Sequence, residues 1–345
     1  MFFSKTAAAS ALLLASGSLA AAQTCSTDGM YCTAAGSSPN YTWCASGAVY
    51  NFACSAGTVC IQSGSSVYCG FSTYGEKSLQ ATCAENNYDV IVVAFLDTFG
   101  HGQVPQVHLD HPFNETTVGI QYCQSTGTAV ILSAGGANAG GSSLSSSSDA
   151  SNFATQLWNT FLGGNINDPT RPFGTAVFDG FDLDIENGAN GYYPDFVNTY
   201  RSLAPKGSYY LTAAPQCFYP DASLGSTLSS VGGQFDWVSV QFYNNWCSAD
   251  NYQAGDISNI NARFNYDQWD QLAAQEGFDL ALGLAASTVA ASSGYVAPAG
   301  VANIVKEIRA TSGASSRFAG VMFWSTAHAD NNNNFGGAIK TILQS

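Results

Sequence analysis

Short apolar runs alternate with stretches whose apolar positions recur at helical spacing over most of this chain. The runs are Asp89 to Leu96, Thr128 to Ser133, Ala176 to Glu186, Tyr209 to Ala214, Asp236 to Tyr243, Asp279 to Ala285 and Phe318 to Ser325. Ser66 to Phe71 offers an eighth at the head of the series. Helical spacing shows in Ser151 to Leu162 and Val301 to Ala310, and a last helix is expected over Phe335 to Leu343. Continuous apolar strands separated by helices describe a parallel sheet covered by helices. Eight such repeats predict an α/β fold closed into an eight-stranded parallel (β/α) barrel of the TIM type. An open doubly wound sheet is the alternative, but no phosphate-binding glycine fingerprint follows the first strand, so its nucleotide-binding form has no support. The serine-rich stretch Gly140 to Ser148 and the polar Asn331 to Asn334 read as loops, because element signals resume on both sides.

The head of the chain breaks this pattern. Lys5 is followed by an apolar run from Ala7 to Ala22 that ends in small residues, which reads as a signal peptide over residues 1–22. The run is too short to span a bilayer; a buried core helix is the other reading. All ten cysteines follow it, and an even count in a secreted chain points to disulfides rather than zinc or thiolates. Six of them, Cys25, Cys32, Cys44, Cys54, Cys60 and Cys69, crowd into a short segment rich in Gly, Ser and aromatics. That segment is too small to be held by its core alone, so a disulfide-rich module over residues 23–65 is expected, followed by the barrel over 66–345. Cys69 could belong to either. Asn40 and Asn114 sit in glycosylation triplets.

Composition narrows the partners. The chain of 345 residues suits one barrel of about 250 residues plus a small module. A net charge of -14 with only 10 Lys and Arg repels phosphate backbones and anionic lipid, so neither nucleic acid nor membrane is an expected partner. The chain ends without a hydrophobic tail, so no lipid-anchor signal is read there.

The chemistry concentrates in Asp179-Gly180-Phe181-Asp182-Leu183-Asp184-Ile185-Glu186. Strand alternation sends Asp182, Asp184 and Glu186 to one face and Phe181, Leu183 and Ile185 to the other. The apolar set meets the helices, and the acids point inward. Carboxyl groups stacked about 6 to 7 Å apart repel, which raises some pKa values and favours shared protons. Residues nearest the carboxyl end of a barrel strand face the substrate, which singles out Glu186 as the acid. Asp179, at odd spacing, is read as structural. A hard-cation site or a buried ion cluster are the competing readings, and few basic residues stand nearby in sequence to neutralise the latter.

This octapeptide resembles the Asp-x-x-Asp-x-Asp-x-Glu signature of family 18 glycoside hydrolases, the chitinases. Ser133-Ala134-Gly135-Gly136, Tyr210-Leu211-Thr212-Ala213-Ala214-Pro215-Gln216-Cys217, Val240-Gln241-Phe242-Tyr243-Asn244-Asn245 and Gly320-Val321-Met322-Phe323-Trp324-Ser325 agree in order with the hevamine-like class III branch, found in plants and fungi. The resemblance runs from about 66 to 345. It implies catalysis by Glu186, with Asp184 holding the substrate's acetamido group, Asp182 sharing a proton behind it and Tyr243 donating its hydroxyl. It places Gln241, Trp324, Gly136 and Asn244 at the sugar, and suggests the pairs Cys83 with Cys123 and Cys217 with Cys247. A secreted monomer, free or associated with the cell wall, acting on chitin or N-acetylglucosamine oligomers without metal or cofactor, is what it implies. A catalytically dead sugar-binding protein, or an endoglycosidase acting on N-linked glycans, are the alternatives. The chain departs from the branch at Tyr68-Cys69-Gly70-Phe71-Ser72, where relatives end a first strand in Tyr-Trp-Gly-Gln-Asn, and at Asp97, where they often carry Asn. Tyr41, Trp43, Tyr50 and Phe52 are stacking candidates if the module binds chitin; the alternative is a structural cap.

Overall fold

The computed structural model describes residue 25 and residues 27–33, 38, 40–54, 58–63, 66–71, 76–137 and 139–345. The expected signal segment lies outside the described residues. The chain divides after Ser72 into two compact units. In the first, β1 (Gly29–Cys32), β2 (Asn40–Ala45) and β3 (Ala48–Ala53) form an antiparallel sheet, while β4 (Thr58–Ser63) and β5 (Ser66–Phe71) form a separate hairpin. Ser46 and Gly47 reverse β2 into β3, both with positive φ, 50° and 80°, the tight turn whose twist matches antiparallel strands. Disulfides Cys25–Cys44 and Cys32–Cys60 staple the unit.

Ser66–Phe71, which the pattern offers as the first barrel strand, pairs instead with Thr58–Ser63, from Thr58 opposite Phe71 to Ser63 opposite Ser66. A short apolar run announces a strand but not its partner. A complementary run two residues away closes a loop at the least entropic cost.

The second unit carries β6 (Val90–Thr98), β7 (Gln106–Val107), β8 (Ala129–Gly135), β9 (Gly180–Asp184), β10 (Tyr210–Ala213), β11 (Trp237–Gln241), β12 (Asp279–Ala285) and β13 (Phe318–Trp324). They form one sheet in the order β13-β12-β11-β10-β9-β8-β6-β7. Seven of them are the seven apolar runs, all parallel, and the two-residue β7 is antiparallel to β6. The eighth parallel strand expected for a closed barrel is not among them. Rings from the two sides of the strand order nevertheless meet: Tyr88, just before β6, lies 5.6 Å from Phe323 of β13 between ring centres, and Phe95 of β6 stacks on Trp324 of β13 at 5.8 Å and 19°. No ladder joins β6 to β13 among the described residues, and β13 is partly exposed along most of its length, whereas β8 to β12 are almost wholly buried.

Helices pack on the outside of the sheet. Ser147–Phe161 and Tyr193–Leu203 bring Phe153 and Phe196 against Phe181 of β9, with ring centres 6.1 and 5.7 Å away. Cys83–Cys123 ties helix Leu79–Ala84 to helix Phe113–Ser125, and Cys217–Cys247 ties the segments after β10 and β11, the two pairs the resemblance suggests. The serine-rich stretch is a loop up to Ser146, which caps the helix starting at Ser147. Asp149 organises it. Burial works to raise its pKa, yet the N–H groups of Ser145, Gly102 and His101 hold it down to about 2. No helix among the described residues is long and apolar enough to cross a membrane.

Candidate active site

Strand β9 positions the acids. Phe181, Leu183 and Ile185 are buried in the core, so the alternation turns Asp182 and Asp184 to the opposite face, with Glu186 two residues beyond the strand end. Register then fixes the neighbours. Ser133 of β8 and Thr212 of β10 both lie opposite Asp182, and their hydroxyls donate to its carboxylate at 2.7 and 2.5 Å. Burial raises the Asp182 pKa, against the lowering from Thr212 and Ser133.

Asp184 takes the next step toward the mouth. Burial, then the charge of Glu186, then that of Asp182, push its carboxyl well above the usual range, and a hydrogen bond with Glu186 works in the same direction. The side-chain amide of Gln241 joins the pair: Nε2 donates to Asp184 Oδ1 at 2.8 Å, Glu186 Oε1 at 3.1 Å and the Ala214 carbonyl at 2.8 Å. Two hydrogens serve three acceptors, so the two carboxyl groups compete for one donor, and a proton held between them relieves that competition.

Tyr243, just past β11, is buried. Its hydroxyl is pushed well above its ordinary pKa by burial and then by Asp184, Glu186 and Asp182, so the phenol stays protonated and keeps a proton to donate. Trp324, at the end of β13, lies stacked on Phe95, a partner the sequence did not single out. Gly136 adopts φ +77°; its N–H donates to the Asp184 carbonyl at 2.7 Å, and a Cβ there would stand 2.8 Å from the Phe95 ring. Its backbone therefore spaces β9 from the aromatic pair. Asn244 is exposed with φ +61°, and its Oδ1 accepts from the backbone and hydroxyl of Ser292 at 2.8 and 2.9 Å, so its carboxamide tethers the loop after β12.

Three residues outside the expected set complete the surroundings. Asp221 accepts from the backbone N–H groups of Leu224, Ser223 and Gln216 at 2.6, 3.0 and 3.3 Å. Its pKa is raised by burial and, less strongly, by Glu186, which places a fourth carboxyl beside the acid pair. Asp97 and His108 meet at 2.6 Å on the rim of a cavity of about 380 Å³ that Gly140 and Ser142 also line. A second cavity, of about 310 Å³, holds Gln124, Asp179 and Tyr209 at the opposite ends of the strands, and none of the expected site residues lines it. Asp179 accepts there from the Val130 N–H at 2.7 Å and from Gln124 at 3.0 Å.

The arrangement can deliver a proton from a carboxyl pair, receive an amide N–H on Asp184 and donate a hydroxyl from Tyr243, beside a flat aromatic surface. A family model described as "Glycosyl hydrolases family 18" matches residues 66–295. The chain is 41% identical over 279 residues to an "Acidic endochitinase SE2" of Beta vulgaris, covering 78% of this chain and 87% of that one. Among solved structures, a chitinase from Ipomoea carnea superposes with TM-score 0.67 at 36% identity, covering 78% of this chain and 96% of its own. A xylanase and alpha-amylase inhibitor protein from Scadoxus multiflorus superposes with TM-score 0.65, also at 36% identity, over 76% of this chain and 93% of its own.

Proposed function

This chain belongs to glycosyl hydrolases family 18, and from that premise we propose that it is a secreted chitinase, cleaving β-1,4-linked N-acetylglucosamine polymers by substrate-assisted, retaining catalysis. One observation carries the reading: Asp184 and Glu186 share the side-chain amide of Gln241 as a donor, and both act on the buried hydroxyl of Tyr243. Ordinary retaining glycosidases set a nucleophile about 5 to 5.5 Å from the acid on the other side of the sugar; this family is an exception in which the substrate supplies it.

In the proposed reaction the acetamido oxygen of the sugar on the non-reducing side of the cut attacks its own anomeric carbon. Glu186 gives its proton to the leaving oxygen, and the glycosidic bond breaks. Asp184 accepts the acetamido N–H and offsets the charge of the oxazolinium ring, while Tyr243 donates to the acetamido oxygen. Water then adds to the anomeric carbon from the face the leaving group vacated, losing a proton to Glu186. Two inversions return the β configuration. Proton NMR during the first turnovers is expected to show the β-anomer of the new reducing end; an α product would exclude participation by the acetamido group.

We further propose that the sheet of the second unit is the (β/α) barrel of this family, a reading supported by the ring contacts that Tyr88 and Phe95 make with β13. For the first unit, chitin binding is the proposal. Register puts Tyr41 opposite Phe52 and Trp43 opposite Tyr50 on one sheet face, with ring centres 5.4 Å apart in each pair. Trp43, Tyr50 and Phe52 are exposed, and Asp28 is the sole charged residue between Cys25 and Phe71. A flat, neutral aromatic strip suits the apolar faces of uncharged sugars. Replacing Trp43 and Tyr50 together by Ala is expected to lower retention on insoluble chitin about ten-fold in a depletion assay; undiminished retention would leave the unit a structural cap.

A further inference from the structure

Asp221 has no part in the reaction proposed above, yet its bonds lead to both carboxyl groups that do. Its Oδ1 accepts from the backbone N–H groups of Leu224 and Ser223 at 2.6 and 3.0 Å, and its Oδ2 accepts from that of Gln216 at 3.3 Å. The residue is buried in the segment between β10 and the helix Gly225–Val231. All three of its donors are main-chain groups, so it clamps the course of this segment.

Each side of the clamp reaches the acid pair. On one side, Ser223 Oγ accepts from the Gly188 N–H at 3.0 Å, two residues past Glu186, so the chain leaving the acid is tied to a residue that Asp221 holds. On the other, Gln216 pairs with Gln241 in an isolated bridge, and the Gln241 N–H donates to the Pro215 carbonyl at 2.9 Å. The side chain of that same Gln241 serves Asp184, Glu186 and the Ala214 carbonyl. One carboxyl group thus supports the backbone behind the acid and the backbone behind its donor.

A neutral acceptor would serve the clamp alone, since Asn and Ser organise turns through the same kind of bond. Burying a carboxyl group beside two others costs free energy that Asn would avoid. Burial raises the Asp221 pKa, the N–H groups of Leu224, Ser223 and Gln216 lower it, and the charge of Glu186 raises it again. The influence is mutual, because Asp221 is one of the charges that raise Asp184, after burial, Glu186 and Asp182. The other titratable groups facing Asp184 are Glu186 and Asp182 from its own segment and Tyr243 from past β11. An anion added to that set favours the state in which the carboxyl pair keeps its proton, the state a general acid needs.

We propose that Asp221 is a positioning residue for the acid: it holds Glu186 and Gln241 in place through Ser223 and Gln216, and its negative charge keeps the pair of Asp184 and Glu186 supplied with a proton. This rests on the hydrolase reading above and adds to it a residue that acts through the acid. The tie and the charge are separable by substitution, because Ser223 carries the first and Asp221 alone carries the second.

The test follows kcat and KM for chitohexaose against pH in the parent protein, Asp221→Asn, Asp221→Ser and Ser223→Ala, with melting curves to show that each is folded. Asn and Ser both keep an oxygen that can accept from the backbone while removing the charge. Both are expected to move the alkaline limb of kcat/KM to lower pH by about one unit, a fall of about ten-fold along that limb. At acid pH the pair is protonated whatever stands at 221, and kcat is expected to stay within about three-fold of the parent value. Ser223→Ala releases Gly188 and leaves the charge, so it is expected to lower kcat about three-fold at every pH with the limb unmoved. A limb that stays put in both neutral variants overturns the role of the charge, and an unchanged kcat in Ser223→Ala overturns the tie; either result leaves the hydrolase standing. A parent protein inert on chitohexaose overturns the hydrolase reading, and this inference with it.

Discussion

Replacing Glu186 by Gln is expected to lower kcat on chitin oligomers by about a thousand-fold or more, within the range a positioned general acid supplies. The substitution keeps shape and a carbonyl oxygen able to accept from Gln241, which now reaches Glu186 at 3.1 Å. It removes the one proton that can move to the leaving oxygen. Retention on insoluble chitin should persist, because the stacking surfaces and the Asp184 and Tyr243 contacts are left in place. Turnover of Glu186→Gln near the parent rate, measured by reducing-end release, would dismiss Glu186 as the acid.

The second large effect is one of opposite signs in activity and stability. Asp184→Asn is expected to lower kcat about a hundred-fold or more, since a neutral amide no longer offsets the charge of the oxazolinium ring. The same change should raise the melting temperature at neutral pH. Burial, the Glu186 charge and the Asp182 charge raise the folded-state pKa of Asp184 far above that of the unfolded chain. A carboxyl so shifted favours the fold while it is protonated in both states, and that advantage is lost as pH climbs from the unfolded value through the folded one. Asn carries no charge to penalise and can still accept from Gln241. Melting curves from pH 4 to pH 8 should therefore diverge as pH rises, the variant being higher by a few degrees at the neutral end. Parallel curves, or a variant less stable at neutral pH, would contradict the buried, coupled state of Asp184.

How far these residues could be seen in advance depends on whether each signal is local. The seven parallel strands were legible because apolar runs with helices between them carry their own period, and the inward turn of Asp182, Asp184 and Glu186 follows from alternation alone. What a single strand cannot state is who lies beside it. Ser133 and Thr212 flank Asp182 only because β8 and β10 adopt one register out of several. Ser66–Phe71 reads as well for a parallel strand as for the hairpin it forms with Thr58–Ser63. Phe95 was hidden for a related reason, since its stack with Trp324 joins β6 to β13, which are far apart in the strand order. Asp221 lies off any strand, and its three backbone hydrogen bonds belong to a loop whose course no periodicity describes.

The Phe95–Trp324 stack also sets a timetable. One ring belongs to the first long strand of the catalytic unit to leave the ribosome, the other to the last strand of that sheet. Glu186, Asp184 and Asp182 emerge well before the surface against which a sugar would lie. A nascent or prematurely terminated chain lacking β13 would thus carry a complete set of acids with half its aromatic platform missing. On the proposed reading, hydrolysis in such a fragment would fail for want of a seat for the substrate, and enzymatic activity would report finished synthesis and not merely intact acids.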